Sequence, residues 1–349
     1  MQEDALNEST PRDRADGRGV GVRRALIGTL LAAAISIIVL SLLGDIGETG
    51  DAFRAFDWRL APLILALTLW NYGWRFVKWR RYLRALGVRP LSTGLDLLVY
   101  LSGYALTVTP GKVGELIRTV YLRRLTDAPA TRTAAAIAAE RITDGAAMLI
   151  LALIGLLQFR YGRPFVALAV IVFLLGVALI QRPELLHALL NRLAGWPIVG
   201  GGITHARAFL DASHTLFQPK LLAQAVGLGV ISWTGECVAF FLVLVGLGID
   251  ATWTLFLGAT FILALSSLAG GASMLPGGLG VTDATVAGML LLLIDDPSMN
   301  RTVAAAATLI IRFATLWFAV LIGAVALALL ERITRRLATS GLPNVAPER

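Results

Sequence analysis

The feature that most restricts the fold of this chain is a series of apolar runs, each long enough to cross a lipid bilayer. A membrane helix needs about 20 mostly apolar residues, because backbone polar groups in hydrocarbon must pair within the helix. Only 15% of the 349 residues are charged, whereas about a quarter are charged in soluble domains. We therefore predict an all-α polytopic membrane protein with six full spans. These spans are 25–43, 60–77, 133–157, 165–180, 221–245 and 302–330.

The placement of charge predicts the orientation. Bases follow the second run at 78–89 and the last run at 332–336, whereas the loop at 45–57 is acidic. Basic residues favour the cytoplasmic side of a membrane, so both termini are predicted to be cytoplasmic. The net charge of +8 is explained by this anchoring, and no nucleic-acid partner is predicted. Arg160 and Arg163 do not fit, because they fall in a loop that this topology places outside.

Two further apolar stretches are broken by a proline–glycine turn. The stretch 95–124 is interrupted at Pro110-Gly111-Lys112-Val113-Gly114, and the stretch 254–294 at Pro276-Gly277-Gly278-Leu279-Gly280. The two flanks of the first are basic, and those of the second are acidic or neutral. Each stretch is therefore predicted to be a re-entrant helical hairpin, the first entering from the cytoplasm and the second from outside.

Taken in chain order, the six spans and two hairpins give the same series twice: span, span, hairpin, span. Weaker similarities are Trp70 and Trp233, followed by Leu-Gly-Val at 86–88 and Leu-Gly-Ile at 247–249. Since the halves start on opposite sides, we predict an inverted repeat. The predicted organisation is a polar cytoplasmic tail at 1–22, a first membrane half at 23–180, a cytoplasmic linker at 181–220, a second membrane half at 221–336 and a cytoplasmic tail at 337–349.

Broken helices at matching positions of inverted halves are typical of transporters with a substrate site near the bilayer midplane. Glycine permits the turn, proline stops the incoming helix, and the next helix begins with unpaired N–H groups that attract an anion. A single Pro-Gly-x-x-Gly string is common in loops. Two such strings in matching positions favour a functional pair.

Charged side chains inside the apolar runs give a second indication of a site. A charge at the bilayer centre costs about 2.5–3.5 kcal/mol on insertion scales, so such groups are functional candidates by default. Other interpretations stay open: the charges could pair and fasten the hairpins, and Arg75 and Arg118 could snorkel to an interface. Glu236, near the middle of its span, needs a partner such as Arg141 or Arg312, or a proton, unless it is a plain helix-packing contact. The predicted substrate-binding residues are Pro110, Gly111, Lys112, Gly114, Glu115, Arg118, Glu140, Arg141, Asp144, Glu236, Pro276, Gly277, Gly278, Gly280, Asp283 and Arg312.

Three stretches, 109–118, 140–144 and 275–283, together resemble the lysylphosphatidylglycerol synthase transmembrane-region family, also called the flippase-like membrane domain family. The resemblance covers about residues 24–336. It implies a prokaryotic plasma-membrane protein that translocates an aminoacylated, polyprenyl-linked or hopanoid-type lipid, with the motif residues and Arg312 as its functional positions. Asp283 stands where the family pattern implies a glutamate. Members that synthesise aminoacyl lipid carry a soluble transferase domain after the membrane part, and the tail after Arg336 is too short to hold one.

These observations predict a transporter that moves an anionic or zwitterionic lipid head group, and not an enzyme. A membrane lipid is the expected partner, and a lipid-modifying enzyme is a further candidate. An enzyme of lipid or glycolipid biosynthesis, an accessory subunit and an ion channel remain alternatives. All three histidines lie in the linker without the spacing of metal ligands. No Walker motif is present, so ATP is not predicted to drive transport. We predict no metal site, no catalytic residue and no cofactor.

Overall fold

A computed structural model describes residues 46–109, 114–156, 163–193 and 202–339, and this part of the chain contains helices and turns but no strand. Several predicted features lie outside the described residues. They are the first span at 25–43, the turn residues Pro110, Gly111 and Lys112, Arg160, and most of both predicted tails.

Within the described ranges the chain forms thirteen α-helices, which are numbered here in order. They are α1 Ile46–Ala55, α2 Ala61–Ala85, α3 Thr93–Ser102, α4 Ile117–Thr126, α5 Ala130–Gly155, α6 Arg163–Ile180, α7 Pro183–Leu193, α8 Ile203–Leu216, α9 Pro219–Gly246, α10 Trp253–Ala272, α11 Val281–Leu293, α12 Arg301–Arg312 and α13 Phe318–Thr339. Short 3-10 helices lie at Trp58–Leu60, Gly103–Leu106 and Pro276–Gly278, and a π-helical segment, Phe313–Trp317, joins α12 to α13.

Five stretches of the described chain are long and apolar enough to cross a membrane. They are Arg163–Ile180, Pro219–Gly246, Trp253–Ala272, Pro276–Leu293 and Arg301–Leu337. α2 and α5 are as long but carry the charged side chains described below. The prediction of an all-α protein with several membrane helices is therefore confirmed. Each arm of the predicted second hairpin is itself of spanning length, so the count of six spans and two hairpins stays a prediction.

α2 and α9 form a closely packed antiparallel pair at the centre. Near the start of α2, the Asp57 N–H donates to the Gly246 carbonyl at the end of α9 (2.9 Å), and further along Trp70 Nε1 donates to the Ile231 carbonyl (3.1 Å). A Cβ at Gly235 would lie 2.8 Å from the Trp70 ring. Small residues let membrane helices approach closely, and this pair joins the two halves of the chain.

The repeated Leu-Gly-Val and Leu-Gly-Ile strings end these two helices in the same way. Gly87 (φ 66°) and Gly248 (φ 91°) take the left-handed conformation that favours glycine. The N–H groups of Val88 and Ile249 each donate to a carbonyl five residues earlier, at 3.0 and 3.2 Å. This is the Schellman motif. The similarity seen in the sequence therefore corresponds to one capping structure that occurs in both halves.

Each broken stretch packs against the long helix that follows the broken stretch of the other half. α3 and the 3-10 helix after it contact α13, and α10 contacts α5. Glycines make both approaches possible, because a Cβ at Gly323 would lie 2.2 Å from Ala105 N and a Cβ at Gly155 would lie 2.4 Å from Phe261 Cβ. The two halves are thus interlocked by reciprocal contacts.

The two broken stretches also meet near their turns. Val108, just before the first turn, and Leu279, within the second, belong to one buried apolar cluster with Leu316 and Val320. Leu316 lies in the π-helical segment. Residues beside the two turns are therefore in contact, although residues 110–113 themselves are not described.

Gly323→Ala is expected to destabilise the protein by about 1–3 kcal/mol, the usual cost of overpacking. Its Cβ would meet the backbone at Ala105 and Tyr104, at 2.2 and 2.6 Å, and backbone atoms cannot move aside as a side chain can. The measurement is the midpoint of thermal unfolding in detergent. Gly176→Ala is the matched control, because nothing lies within 4 Å of a Cβ there. Equal midpoints for the two variants would contradict the close approach of α13 to the 3-10 helix Gly103–Leu106.

Candidate functional site

A buried ion cluster lies where α2, the stretch around α4, and α5 meet. Its cations are Arg75, Lys78, Arg118 and Arg141, and its carboxylates are Glu115, Glu140 and Asp144. Among these seven described side chains, the cations outnumber the carboxylates by one. Every member is buried except Arg141, whose side chain is 25% exposed.

Glu140 of α5 lies at the centre of this cluster. Its Oε1 accepts hydrogen bonds from Arg75 Nη2 and from the Tyr100 hydroxyl, both at 2.9 Å, and its Oε2 accepts one from Arg118 Nη1 at 2.9 Å. A fully buried carboxylate is tolerated only when its lone pairs and charge are matched in this way. Glu140 thereby holds together α2, α3, α4 and α5.

Asp144 lies one turn after Glu140 on the same face of α5, as the i, i+4 spacing predicts. It pairs with Lys78 and, at 3.0 Å, with Arg75 Nη2. Arg75 therefore bridges both carboxylates. The interpretation that Arg75 and Arg118 snorkel to an interface is wrong, because both guanidinium groups are buried in ion pairs.

Arg141 joins α5 to the first turn. Its Nη2 lies 2.7 Å from Glu115 Oε2, whereas its distances to Glu140 and Asp144 are 3.8 and 3.9 Å. On the described edge of the turn, the Gly114 N–H donates to the Thr109 hydroxyl oxygen at 2.7 Å. The most exposed cation of the cluster thus lies beside the predicted substrate-binding turn.

Aromatic rings enclose Arg118. Its guanidinium carbon lies 4.3 Å from the centre of the Tyr100 ring, 5.3 Å from Tyr104 and 5.6 Å from Trp79. Cation–π contacts of this kind strengthen when they are desolvated. Gly103 is required between the two tyrosines, since a Cβ there would lie 2.1 Å from Arg118 Nε. Sequence reasoning missed these rings, whose only signal was a tyrosine pair at helical spacing.

Several guanidinium N–H groups of the cluster have no acceptor among the described residues. They are Nε of Arg75, Nε and Nη2 of Arg118, and Nε of Arg141, and the nearby Trp233 Nε1 is in the same state. Leaving a buried donor unpaired costs about 1–3 kcal/mol, and more when it is charged. The arrangement suits a ligand that carries several acceptor oxygens and a negative charge.

A second, smaller charged site holds the second turn. Arg312 Nε lies 2.6 Å from Asp283 Oδ1, and Arg312 Nη2 donates to the Gly277 carbonyl at 3.1 Å. Asp283 also accepts from the Gly280 N–H at 2.9 Å, which caps α11. Gly277, Gly278 and Gly280 all have positive φ, between 59° and 77°, so the turn requires glycine at these positions. Asp283 is shorter than the glutamate that the family resemblance implies, but it reaches both Arg312 and the Gly280 N–H.

The π-helical segment begins directly after Arg312. The Tyr72 hydroxyl of α2 donates to its Thr315 carbonyl at 2.8 Å. π-helical turns occur frequently at functional sites, and nothing in the sequence predicted this one. Glu236 of α9 is 6% exposed and lies within electrostatic range of Tyr72. Whether its charge is matched by Arg141 or Arg312, as the sequence suggested, stays a prediction.

The structure therefore brings most of the predicted residues into two groups. The first holds Glu115, Arg118, Glu140, Arg141 and Asp144, with Gly114 at its edge, and it adds Arg75 and Lys78. The second holds Gly277, Gly280, Asp283 and Arg312. Lys78 was missed because it belongs to a basic run that membrane anchoring already explained.

A family model described as "Lysylphosphatidylglycerol synthase TM region" matches residues 29–323. The match includes both charged sites and every helix from α1 to α12. A search of curated proteins found no match.

Glu140→Gln is expected to lower the midpoint of thermal unfolding strongly. The amide would leave Arg118 buried without its paired carboxylate and Arg75 with Asp144 alone, and breaking a buried ion pair costs about 3–5 kcal/mol. Glu331→Gln is the control, because Glu331 forms a surface pair with Arg335 and such pairs contribute about 0–1 kcal/mol. Similar midpoints for both variants would show that Glu140 does not hold the cluster together.

Proposed function

Because the chain belongs to the lysylphosphatidylglycerol synthase TM region family, we propose that it is a transporter that moves an anionic or zwitterionic lipid head group across the membrane and catalyses no reaction. The observation that carries this proposal is the buried cluster at Glu140. It has an excess of one positive charge and several guanidinium N–H groups without an acceptor. A head-group phosphate has the charge and the oxygens that this cluster needs.

Arginine suits this role better than lysine. Its planar guanidinium presents paired N–H groups that match two phosphate oxygens, and these bonds are stronger where water is scarce. Arg141 is the most exposed member of the cluster and would contact the phosphate first. Arg75 and Arg118, which are buried, would then supply donors deeper in the protein. The hydrocarbon tails would stay in the bilayer, beside apolar surfaces such as α6.

The packing of the helices supports an inverted repeat with two re-entrant hairpins. α2 and α9 run antiparallel and end in the same motif. Each broken stretch contacts the long helix that follows the broken stretch of the other half. Alternating access in such transporters comes from rocking one half against the other around a fixed site. The π-helical segment, which touches both α2 and the cluster around Val108, is placed to move with that change.

The proposed setting is the plasma membrane of a prokaryote, with both termini in the cytoplasm. The structure supports one part of this topology, because Arg132 at the start of α5 donates to the Leu86 carbonyl at the end of α2 (3.2 Å). The basic run 78–89 and the return from the first hairpin therefore lie at the same end of the protein. A basic end faces the cytoplasm under the positive-inside rule.

Arg141→Gln is expected to slow translocation about 10- to 100-fold, because hydrogen bonds to a charged group contribute about 1.5–3 kcal/mol. The purified protein is reconstituted into vesicles that contain chain-labelled fluorescent phosphatidylglycerol. Dithionite, added outside, bleaches only the label that reaches the outer leaflet. Arg335→Gln, at an exposed arginine of α13, is the charge-matched control. Equal rates for the wild type, Arg141→Gln and Arg335→Gln would refute the role of the cluster, and thermal unfolding shows whether the variants are folded.

Arg312→Lys is expected to lose most of the translocation rate while Arg312→Gln loses it all. Lysine keeps the positive charge, but it lacks the fork that reaches Asp283 and the Gly277 carbonyl together. The same vesicle assay measures both variants. A wild-type translocation rate in Arg312→Gln would show that the second turn takes no part in transport.

A further inference from the structure

Two tyrosine hydroxyls extend the hydrogen bonds of Glu140 away from the ion cluster. The Tyr100 hydroxyl donates to Glu140 Oε1 at 2.9 Å, and the Tyr104 hydroxyl lies 2.9 Å from that of Tyr100. A phenol has a single proton, and the proton of Tyr100 is used on Glu140. The bond between the two tyrosines therefore runs from Tyr104 to Tyr100, so that Glu140 orients both side chains.

The Tyr104 ring contacts both fully buried arginines of the cluster. Its centre lies 5.6 Å from the guanidinium carbon of Arg75 and 5.3 Å from that of Arg118. Tyr104 is 2% exposed, so these cation–π contacts are desolvated and correspondingly stronger. If a phosphate draws either guanidinium toward itself, the contacts of Tyr104 change.

Tyr72 of α2 continues this series of contacts to the π-helical segment. Its ring centre lies 4.9 Å from that of Tyr104, and its hydroxyl donates to the Thr315 carbonyl at 2.8 Å. Three tyrosines thus form one continuous series of contacts, which leads from Glu140 to the segment that follows Arg312.

The π-helical segment is an element that can adopt two discrete arrangements. The Phe318 N–H donates to the Phe313 carbonyl, five residues earlier, and to the Thr315 carbonyl, whereas an α-helix would direct it to the Ala314 carbonyl. The Tyr72 hydroxyl gives Thr315 a donor from outside its own helix, and this bond stabilises the π-helical arrangement. Conversion to an α-helix would turn α13 by about 100° relative to α12, since an α-helix has 3.6 residues per turn.

Both broken stretches contact the helices that this segment joins. Arg312, directly before the segment, donates to the Gly277 carbonyl of the second turn at 3.1 Å. After the segment, α13 packs on the first broken stretch, where a Cβ at Gly323 would lie 2.6 Å from the Tyr104 carbonyl carbon. A change of helical arrangement between Arg312 and α13 would therefore alter contacts in both halves.

We propose that Tyr104 and Tyr72 couple the ion cluster at Glu140 to the π-helical segment. A phosphate bound by the cluster would then change the hydrogen bond at the Thr315 carbonyl, and with it the position of the second turn. The inference rests on the proposed transport function and adds the route by which occupancy of one charged site affects the other. Neither tyrosine binds the phosphate, so both are positioning residues.

Simple packing is the alternative, because buried tyrosines usually find a partner for their hydroxyl. Tyr82, also on α2, is such a residue, since its hydroxyl lies 2.9 Å from Thr143 Oγ1 on α5. Tyr72 differs in its acceptor, which is a main-chain carbonyl of an irregular helix, and in its ring contact with Tyr104. Tyr82 therefore supplies a matched control on the same helix. Coupling between sites is shown only when both bias one two-state element, so the test follows that element directly.

The test follows the π-helical segment with a single fluorine label, read by fluorine nuclear magnetic resonance on the full-length protein in detergent. Cys237, the only cysteine of the chain, is buried and is replaced by alanine. Phe313→Cys, at an exposed position of the segment, then carries the label. Phosphatidylglycerol is titrated, and its binding is counted by native mass spectrometry. Lipid bound at the cluster is identified by its loss in Arg141→Gln.

Tyr72→Phe keeps the aromatic ring and removes only the hydroxyl. In the wild-type background, phosphatidylglycerol is expected to change the fluorine signal, and Tyr72→Phe is expected to abolish that response while the lipid still binds. Translocation in the vesicle assay is expected to slow about 3- to 10-fold, which corresponds to the loss of one hydrogen bond. Tyr82→Phe is expected to keep both the fluorine response and the wild-type rate.

A second series needs no lipid. Tyr100→Phe removes the hydroxyl that joins Tyr104 to Glu140, and it is expected to change the fluorine signal by itself. In the Tyr72→Phe background the same substitution is expected to leave the signal unchanged, because the route is already interrupted. Such non-additivity is the measure of coupling between two residues. Thermal unfolding shows that each variant is folded.

A fluorine response in Tyr72→Phe equal to that of the wild type would overturn the proposal, and so would effects of Tyr100→Phe and Tyr72→Phe that simply add. An unchanged signal in the wild type while phosphatidylglycerol is bound at the cluster would overturn it as well. If the lipid does not bind at the cluster, the transport proposal fails, and the Tyr100→Phe series still decides whether the tyrosines are coupled. The two proposals can therefore fail separately.

Discussion

The burial of Glu140 is the interaction on which the rest of the structure depends. A carboxylate in the membrane interior needs matched charge and hydrogen bonds, and Glu140 obtains them from Arg75, Arg118 and Tyr100. These partners come from three separate segments, so satisfying one side chain fixes α3 and α4 against α2 and α5. Arg118 depends on Glu140 in the same way, whereas Arg75 also pairs with Asp144.

A carboxylate paired with an arginine also follows each of the two turns. Glu115 follows the first turn and pairs with Arg141 at 2.7 Å, while Asp283 follows the second and pairs with Arg312 at 2.6 Å. In each half, an arginine of the next long helix thus fastens the carboxylate that follows the proline–glycine string. Arg141 and Arg312 each lie in a helix that follows a proline–glycine string, and each pairs with the carboxylate after that string. This equivalence links the two halves more firmly than the strings alone.

The sequence predicted those features that depend on local spacing. Glu140 and Asp144 share a face because they are four residues apart, and the Leu-Gly strings mark helix ends because glycine allows the left-handed conformation. Contacts between helices could not be predicted in this way. Lys78 lies in a basic run that anchoring already explained, and only the packing of α2 on α5 turns it toward Asp144. Tyr100 and Tyr104 gave no charge signal, because their role follows from the position of Arg118.

The two charged sites, at Glu140 and at Arg312, differ in their electrostatics. Among the described side chains of the cluster at Glu140, the cations outnumber the carboxylates by one, whereas Arg312 is balanced by Asp283 at the second turn. In a medium of low dielectric constant, an unbalanced charge attracts a phosphate far more strongly than a neutral pair does. If a head group passes both turns, it is held at the first and only guided by the second. A strong site next to a weak one permits release, which two equally strong sites would prevent, so the asymmetry between the halves is itself suited to transport.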